Sequence, residues 1–160
     1  MEKSPMTDAY WAAYRAANPS APADYRLIWF GANELNLADE LAEQVLHGTK
    51  RATTCLLIEL ETGREPVFPK AGDLWLLVDG KAAPRGVLQT VRVDIERFCD
   101  VDRQFAWDEG EDDRSLESWR RAHIDYFTRQ GERLGFVFDE TMKCVLERFR
   151  IVWPAELADR

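Results

Sequence analysis

Apolar residues recur along this chain with two different periods. Leu37, Leu41, Val45 and Leu46 return every three to four positions, which predicts an amphipathic helix over 37–47. Gly48 then stands where a left-handed C-terminal cap belongs. The same period predicts a helix over 7–17, capped by Thr7 and carrying Tyr10, Trp11 and Tyr14, with Pro19 and Pro22 to stop it. A third helix is predicted from Ser115 to about Arg133, with Leu116, Trp119, His123 and Phe127 on one face and Gly135 at its end. Its capping box is incomplete, because Ser118 stands where Glu is wanted.

Elsewhere the pattern is that of strands. Tyr25–Phe30 reads as a short buried segment, and Thr53–Leu60 as a buried strand ending in a turn at Glu61-Thr62-Gly63. Pro69-Lys70-Ala71-Gly72-Asp73 leads into a strand over 74–78, and Asp79-Gly80 signals a hairpin to a partner over 86–95. In that partner Val87, Val91, Val93 and Ile95 share one face, and Thr90, Arg92 and Asp94 the other. A last strand over 144–153, closed by Pro154, places Glu147 on the face of Val145, Phe149, Ile151 and Trp153, as a paired, partly buried carboxylate with a structural role. The acidic stretch 99–114 reads as a loop anchored by Phe105 and Trp107. Helices and strands do not alternate regularly, so the fold class is α+β with a mainly antiparallel sheet able to curl into a barrel. No repeat or linker interrupts it, which predicts a single domain over 1–160 with 1–24 as an N-terminal helical extension.

Composition narrows the chemistry. Apolar residues make up 46% and aromatics 11%, as in a globular protein, and the longest apolar runs are too short to cross a bilayer. With no leader-like segment, the expected location is cytoplasmic, without a membrane partner. Cys55, Cys99 and Cys144 lie far apart and far from His47 and His123, which leaves no metal-ligand spacing and implies neither metal nor cofactor. A net charge of −8 disfavours a long polyanion and favours a small ligand or a short single strand.

Two constellations carry candidate chemistry. Lys50 leaves a glycine-fixed turn and Thr53 follows near the start of a strand, so an ammonium and a hydroxyl can be held near one another. A lysine at a helix C-terminus also simply answers the helix dipole, and Thr53 suits a strand for its β-branching alone. The second constellation is Phe105-Ala106-Trp107-Asp108-Glu109-Gly110-Glu111. There Glu109 lies beside a glycine and near a Trp, and an aromatic wall raises a carboxyl pKa toward general-base duty. Trp107 reads either as a stacking platform for a base or as an anchor under the loop. His123 reads as a satisfied core histidine and Arg120-Arg121 as a solvated face.

In their order these motifs resemble the ASCH domain, a branch of the PUA-like superfamily. The resemblance rests on Gly48-x-Lys50-x-x-Thr53, Gly72-Asp73 before a strand, Ala106-x-x-Glu109 and Glu147-Arg148-Phe149, and it extends from about Leu37 to Trp153. It implies a PUA-like β-barrel flanked by α-helices, with a cleft lined by the lysine turn and a nucleoside or short single-stranded RNA as partner. One branch is similar to amidohydrolases of N(4)-acetylcytidine that use a Lys, a Thr and a Glu, which by motif position are Lys50, Thr53 and Glu109 here. Gly48, Arg51, Trp107, Arg92 and Arg148 are the substrate-binding candidates beside them. Another branch resembles binders of single-stranded RNA or weak ribonucleases, and a non-catalytic nucleotide sensor is the third reading. Many members carry an arginine where this chain has Cys55, and Arg51, Arg92 and Arg148 are the residues available to replace it. The N-terminal aromatic helix either pairs two copies as a homodimer or covers the barrel of a monomer.

Overall fold

A computed structural model describes residues 1–31, 34–62 and 67–159. Helix α1 spans Pro5–Ala17 and starts two residues before the expected position. Its cap is Ser4 rather than Thr7: the Ser4 hydroxyl accepts the Thr7 N–H at 3.3 Å, and Thr7 Oγ1 accepts the Ser4 N–H at 2.8 Å. Thr7 thus completes a capping box from the third helical position, and Pro5 occupies a first turn that needs no donor. Strand β1 (Arg26–Ile28) lies in the segment expected to be short and buried. Helix α2 spans Leu35–His47 and buries Ala38, Leu41, Ala42, Val45 and Leu46. Gly48 ends it at φ −118°, not in the left-handed region. Its glycine requirement is steric instead, because a Cβ there would lie 2.9 Å from the Gln44 carbonyl oxygen.

Strand β2 covers Ala52–Leu56 only, and the chain turns into helix α3 at Leu57–Thr62. The expected strand to Leu60 is cut short because the Glu59 carboxylate reaches back to accept the Leu56 N–H at 2.8 Å, a helix-starting bond. Glu61 and Thr62 are therefore helical, and Gly63 of the expected turn lies outside the described residues. The hairpin joins β3 (Leu74–Val78) to β4 (Pro84–Arg97). Its loop is longer than a two-residue turn: Asp79 Oδ1 accepts the N–H groups of Lys81 and Ala83 at 2.9 and 3.0 Å. The stretch expected to be a loop contains a 3-10 turn at Phe98–Asp100 and helix α4 at Arg103–Glu109. Asp102 caps α4 by accepting the Phe105 N–H at 2.8 Å, and Gly110 closes it at φ +77°. Helix α5 (Leu116–Leu134) begins at Ser115 and ends at Gly135 as expected, and β5 spans Lys143–Trp153.

The strands form one sheet in the order β1-β3-β4-β5-β2. β1 runs parallel to β3, whereas β3 with β4 and β2 with β5 are antiparallel. The α+β class with a mainly antiparallel sheet is the one expected. On β4 the expected apolar face is not uniformly covered, since Val87 is buried while Val91 and Ile95 are exposed. Thr90 is buried instead, where its hydroxyl accepts the Trp75 indole N–H at 2.8 Å.

Two compact units can be traced. One comprises Met1–Gly48, Ala71–Val91 and Phe149–Arg160, the other Thr49–Lys70 and Arg92–Arg148. The first packs Trp11, Tyr14, Tyr25, Leu76 and Val87 together, with Trp11 stacked on Tyr25 at 5.3 Å. The aromatic face of α1 is thereby used inside its own unit, where Tyr14 also meets Trp153 edge-on at 6.0 Å. The second unit gathers Ala52, Leu56, Phe105, Trp119, Phe127, Cys144 and Leu146 around Phe98. Phe98 stacks on Trp119 at 5.1 Å and meets Phe127 and Phe138 edge-on at 6.1 and 5.2 Å. Among the described residues no helix is long and apolar enough to cross a membrane. Truncating Phe98 to Ala removes the ring that three aromatics share and is expected to cost about 3–5 kcal/mol. A urea melt of Phe98→Ala whose midpoint matches that of wild type would contradict this packing.

Candidate functional site

Lys50 lies between Thr49 and Arg51 at the entrance to β2, where the chain is fastened to the end of α4. The Arg51 N–H donates to the Asp108 carbonyl at 2.8 Å, and the Thr49 hydroxyl donates to the Gly110 carbonyl at 3.1 Å. Gly110 is obligatory here on two counts. Its left-handed φ suits glycine, and a Cβ would fall 2.6 Å from the Thr49 carbonyl carbon and 2.7 Å from the Lys50 nitrogen. This close backbone contact brings residues 50 and 109 together.

The side chains that meet there are almost wholly withdrawn from water. Lys50 is 1% exposed and Glu109 2%. Lys50 Nζ lies 3.8 Å from Glu109 Oε1 and donates a hydrogen bond to Glu111 Oε1. Glu109 Oε2 accepts the Trp119 indole N–H, and its Oε1 lies 3.7 Å from His123 Nε2. The His123 ring stacks on Trp119 at 4.2 Å, and its Nδ1 lies 2.9 Å from the Trp119 carbonyl oxygen, which fixes its orientation. That contact requires a proton on Nδ1, and a second proton on Nε2, facing the Glu109 carboxylate, makes the ring an imidazolium.

Glu109 is thus not the raised carboxyl expected from an aromatic wall. Burial does push its pKa up, but the charges of His123 and Lys50 and the bonds from His123 and Trp119 outweigh it and hold the group below the usual carboxylate range. The wall is also Trp119 rather than Trp107. Burial alone would lower the His123 pKa, yet the Glu109 charge and hydrogen bond raise it. Glu111 and His123 are the members that the sequence did not reveal. The available signal for His123 was its i,i+4 spacing from Trp119 on α5, which matches the stack. For Glu111 there was only its place after Gly110.

The remaining candidates distribute as follows. Thr53 lies on β2 in register with Glu147, which is buried at 6% exposure. Cys55 is on the same strand, and burial with the nearby Glu59 and Glu147 charges pushes its thiol pKa far up, so it is no nucleophile. Arg51 turns its guanidinium to the Lys50 carbonyl at 2.7 Å. Arg92 and Arg148 come together in a groove of roughly 220 Å³ that is also lined by Asp94, Glu96, Asp102 and Phe105. Arg92 pairs with Asp94 at 2.7 Å, and Arg148 pairs with Asp108 at 2.9 Å and with Asp94 at 3.4 Å. Gly48 is exposed and ends α2. Trp107 is half-exposed and is not a buried anchor; Phe105 alone fills that role. Arg120 is no ordinary solvated residue either, since its Nη2 donates to the Cys99 carbonyl at 3.0 Å and its Nε is buried. Among the described residues, no group of His, Cys, Asp and Glu is arranged to hold a metal ion.

A family model described as an ASCH domain matches residues 26–153. The crystal structure of an ASCH domain from Lactobacillus crispatus JV V101 is similar with a TM-score of 0.80 and 28% identity, over 92% of this chain and 91% of that one. Protein EF3133 from Enterococcus faecalis V583 has the same fold at a TM-score of 0.80 and 23% identity, over 92% of each chain. No curated protein matches significantly. The family match covers most of the chain, and the chain belongs to the ASCH domain family, with the PUA-like fold of that group.

Proposed function

We propose that this chain is a nucleoside-directed amidohydrolase, acting at the Lys50–Glu109 cluster on the exocyclic amide of an N(4)-acylated cytidine. The observation that carries the reading is a lysine ammonium 1% exposed and 3.8 Å from an equally buried carboxylate. Amide hydrolysis needs a base for the attacking water, a positive charge at the tetrahedral oxygen and a proton for the leaving amine. Glu109, held ionised, is an acceptor ready for the water proton. Lys50 supplies the fixed charge that faces the oxyanion as the carbon–oxygen bond forms. His123, kept in its protonated form by Glu109, protonates the amine as the carbon–nitrogen bond breaks. Thr53 contributes a hydroxyl to the acyl oxygen. Glu111, the more exposed partner of Lys50 at 34%, is the group that an incoming carbonyl would displace.

Charge matching supports an uncharged substrate. Arg92 and Arg148 are already paired with Asp94 and Asp108, and Glu96 and Asp102 add further negative charge to the groove. Such a surface offers little to a row of phosphates and suits a nucleoside better.

The wild-type protein is expected to release free cytidine from N(4)-acetylcytidine. Lys50→Gln and Glu109→Gln should each lower kcat/KM by about 10²–10³-fold, as for loss of an oxyanion donor or a general base. Chromatography of the products checks this, and wild-type protein inert toward a panel of acyl-nucleosides would end the proposal. Stability should report the same charges. Glu109, with its pKa lowered, contributes stability that is present above the ordinary glutamate value of 4.5 and disappears as pH falls through the folded value. His123, with its pKa raised, contributes stability that is complete below 6.5 and disappears as pH rises through its folded value. Urea midpoints of wild type should therefore fall on both sides of a plateau, and His123→Gln should lack the alkaline decline. An unchanged alkaline limb in that variant would remove His123 from the charged cluster.

A further inference from the structure

Helix α4 presents a second face to solvent. Glu109 points inward, while Arg103 and Trp107, one helical turn apart, line the same surface cleft. That cleft has a volume of roughly 330 Å³ and is completed by Gln104, Asp113, Arg114, Ser115 and Leu116. The size is that of a small-ligand site, for which about 300–1,000 Å³ is usual.

Trp107 is 52% exposed, unusual for the largest apolar side chain of a domain whose other aromatics are mostly used in cores. Its ring is nevertheless held in place. The Arg114 guanidinium lies 3.7 Å from the ring centroid, and its Nε and Nη2 donate to the Trp107 carbonyl at 3.0 and 2.8 Å. One indole face is therefore covered by a cation, and the exposure belongs to the other face and the edge. Arg114 adopts φ +64° and Asp112 φ +47°, left-handed conformations that cost side-chain-bearing residues energy. The backbone is held in that form where it delivers Arg114 to the ring.

The charges differ from those in the neighbouring groove. There each arginine is matched by a carboxylate; here, among the described residues, no carboxylate pairs with Arg103 or Arg114. Asp113 is the single acid in the lining, and its Oδ1 is engaged by the Ser115 N–H at 2.8 Å. A rigid aromatic plane with a cation stacked behind it and a second cation beside it matches a planar base that carries a phosphate.

From this we infer that the cleft is a nucleotide subsite, in which a base stacks on the open face of Trp107 and its phosphate is taken by Arg103. The shared chemistry is one nucleotide, either free or at an unpaired position of an RNA strand. This subsite does not depend on hydrolysis at Lys50, and its test reads binding alone.

Calorimetric titration of the full chain with cytidine, cytidine 5′-monophosphate and an oligocytidylate hexamer is the experiment. The monophosphate should bind more tightly than cytidine. Trp107→Ala should weaken the monophosphate by about 10-fold or more, the usual size of a lost base–aromatic stack, and Trp107→Phe should restore most of it. Arg103→Gln should weaken the monophosphate but leave cytidine unchanged, and should reduce the salt dependence of hexamer binding by about one phosphate contact. Hexamer binding that follows these variants assigns the site to RNA; a hexamer that does not bind, with the monophosphate still sensitive, assigns it to free nucleotides. Wild-type protein that binds neither, or variants that bind both as wild type does, would overturn the subsite. Absence of cytidine release from acyl-nucleosides would leave this result untouched, so the two readings fail separately.

Discussion

A lysine ammonium removed from water is tolerated only where carboxylates replace its hydration, and the site follows from that requirement. Stripping one such ion of solvent costs several kcal/mol even after relaxation. Lys50 meets this with Glu109 at 3.8 Å and a hydrogen bond to Glu111. Glu109 has the same problem with opposite sign, and meets it with Lys50, the Trp119 indole and His123. Each group is therefore a condition for the burial of the next. The chain of dependence runs from the entrance of β2 through α4 to α5.

This arrangement explains why one short helix serves two surfaces. In seven residues α4 supplies Phe105 and Ala106 to the core, Glu109 to the buried charges, and Trp107 with Arg103 to a cleft open to solvent. Asp108 adds backbone and side-chain partners for Arg51 and Arg148. Its caps at Asp102 and Gly110 hold these directions fixed, since a helix this short has little intrinsic stability.

What could be read from the chain beforehand tracks the length of each signal. Helix α5 was legible because Leu116, Trp119, His123 and Phe127 repeat over several turns between Ser115 and Gly135. The edges of β3 and β5 were legible because aliphatic runs end at turn residues. Helix α4 was not, since seven residues contain too few apolar positions to establish a period, and its acids suggested a loop. The switch from β2 to α3 was hidden in Leu57-Ile58-Glu59-Leu60, which suits either state until the Glu59 carboxylate finds the Leu56 N–H. Lys50 and Glu109 were recognisable by motif, but the sign of the Glu109 shift was not. Aromatic burial and ionic partners push in opposite directions, and only three-dimensional placement decides which prevails.

The contact of Gly110 with the backbone of Thr49 and Lys50 also sets a rule for how this chain can vary in length. An inserted or deleted residue between Asp102 and Gly110 would rotate the part of α4 beyond it by about 100° and turn Glu109 away from its buried partners. The span from cap to cap thus behaves as a ruler of fixed length. Side chains around it can be exchanged, but the count of residues between those two marks cannot change without moving Glu109.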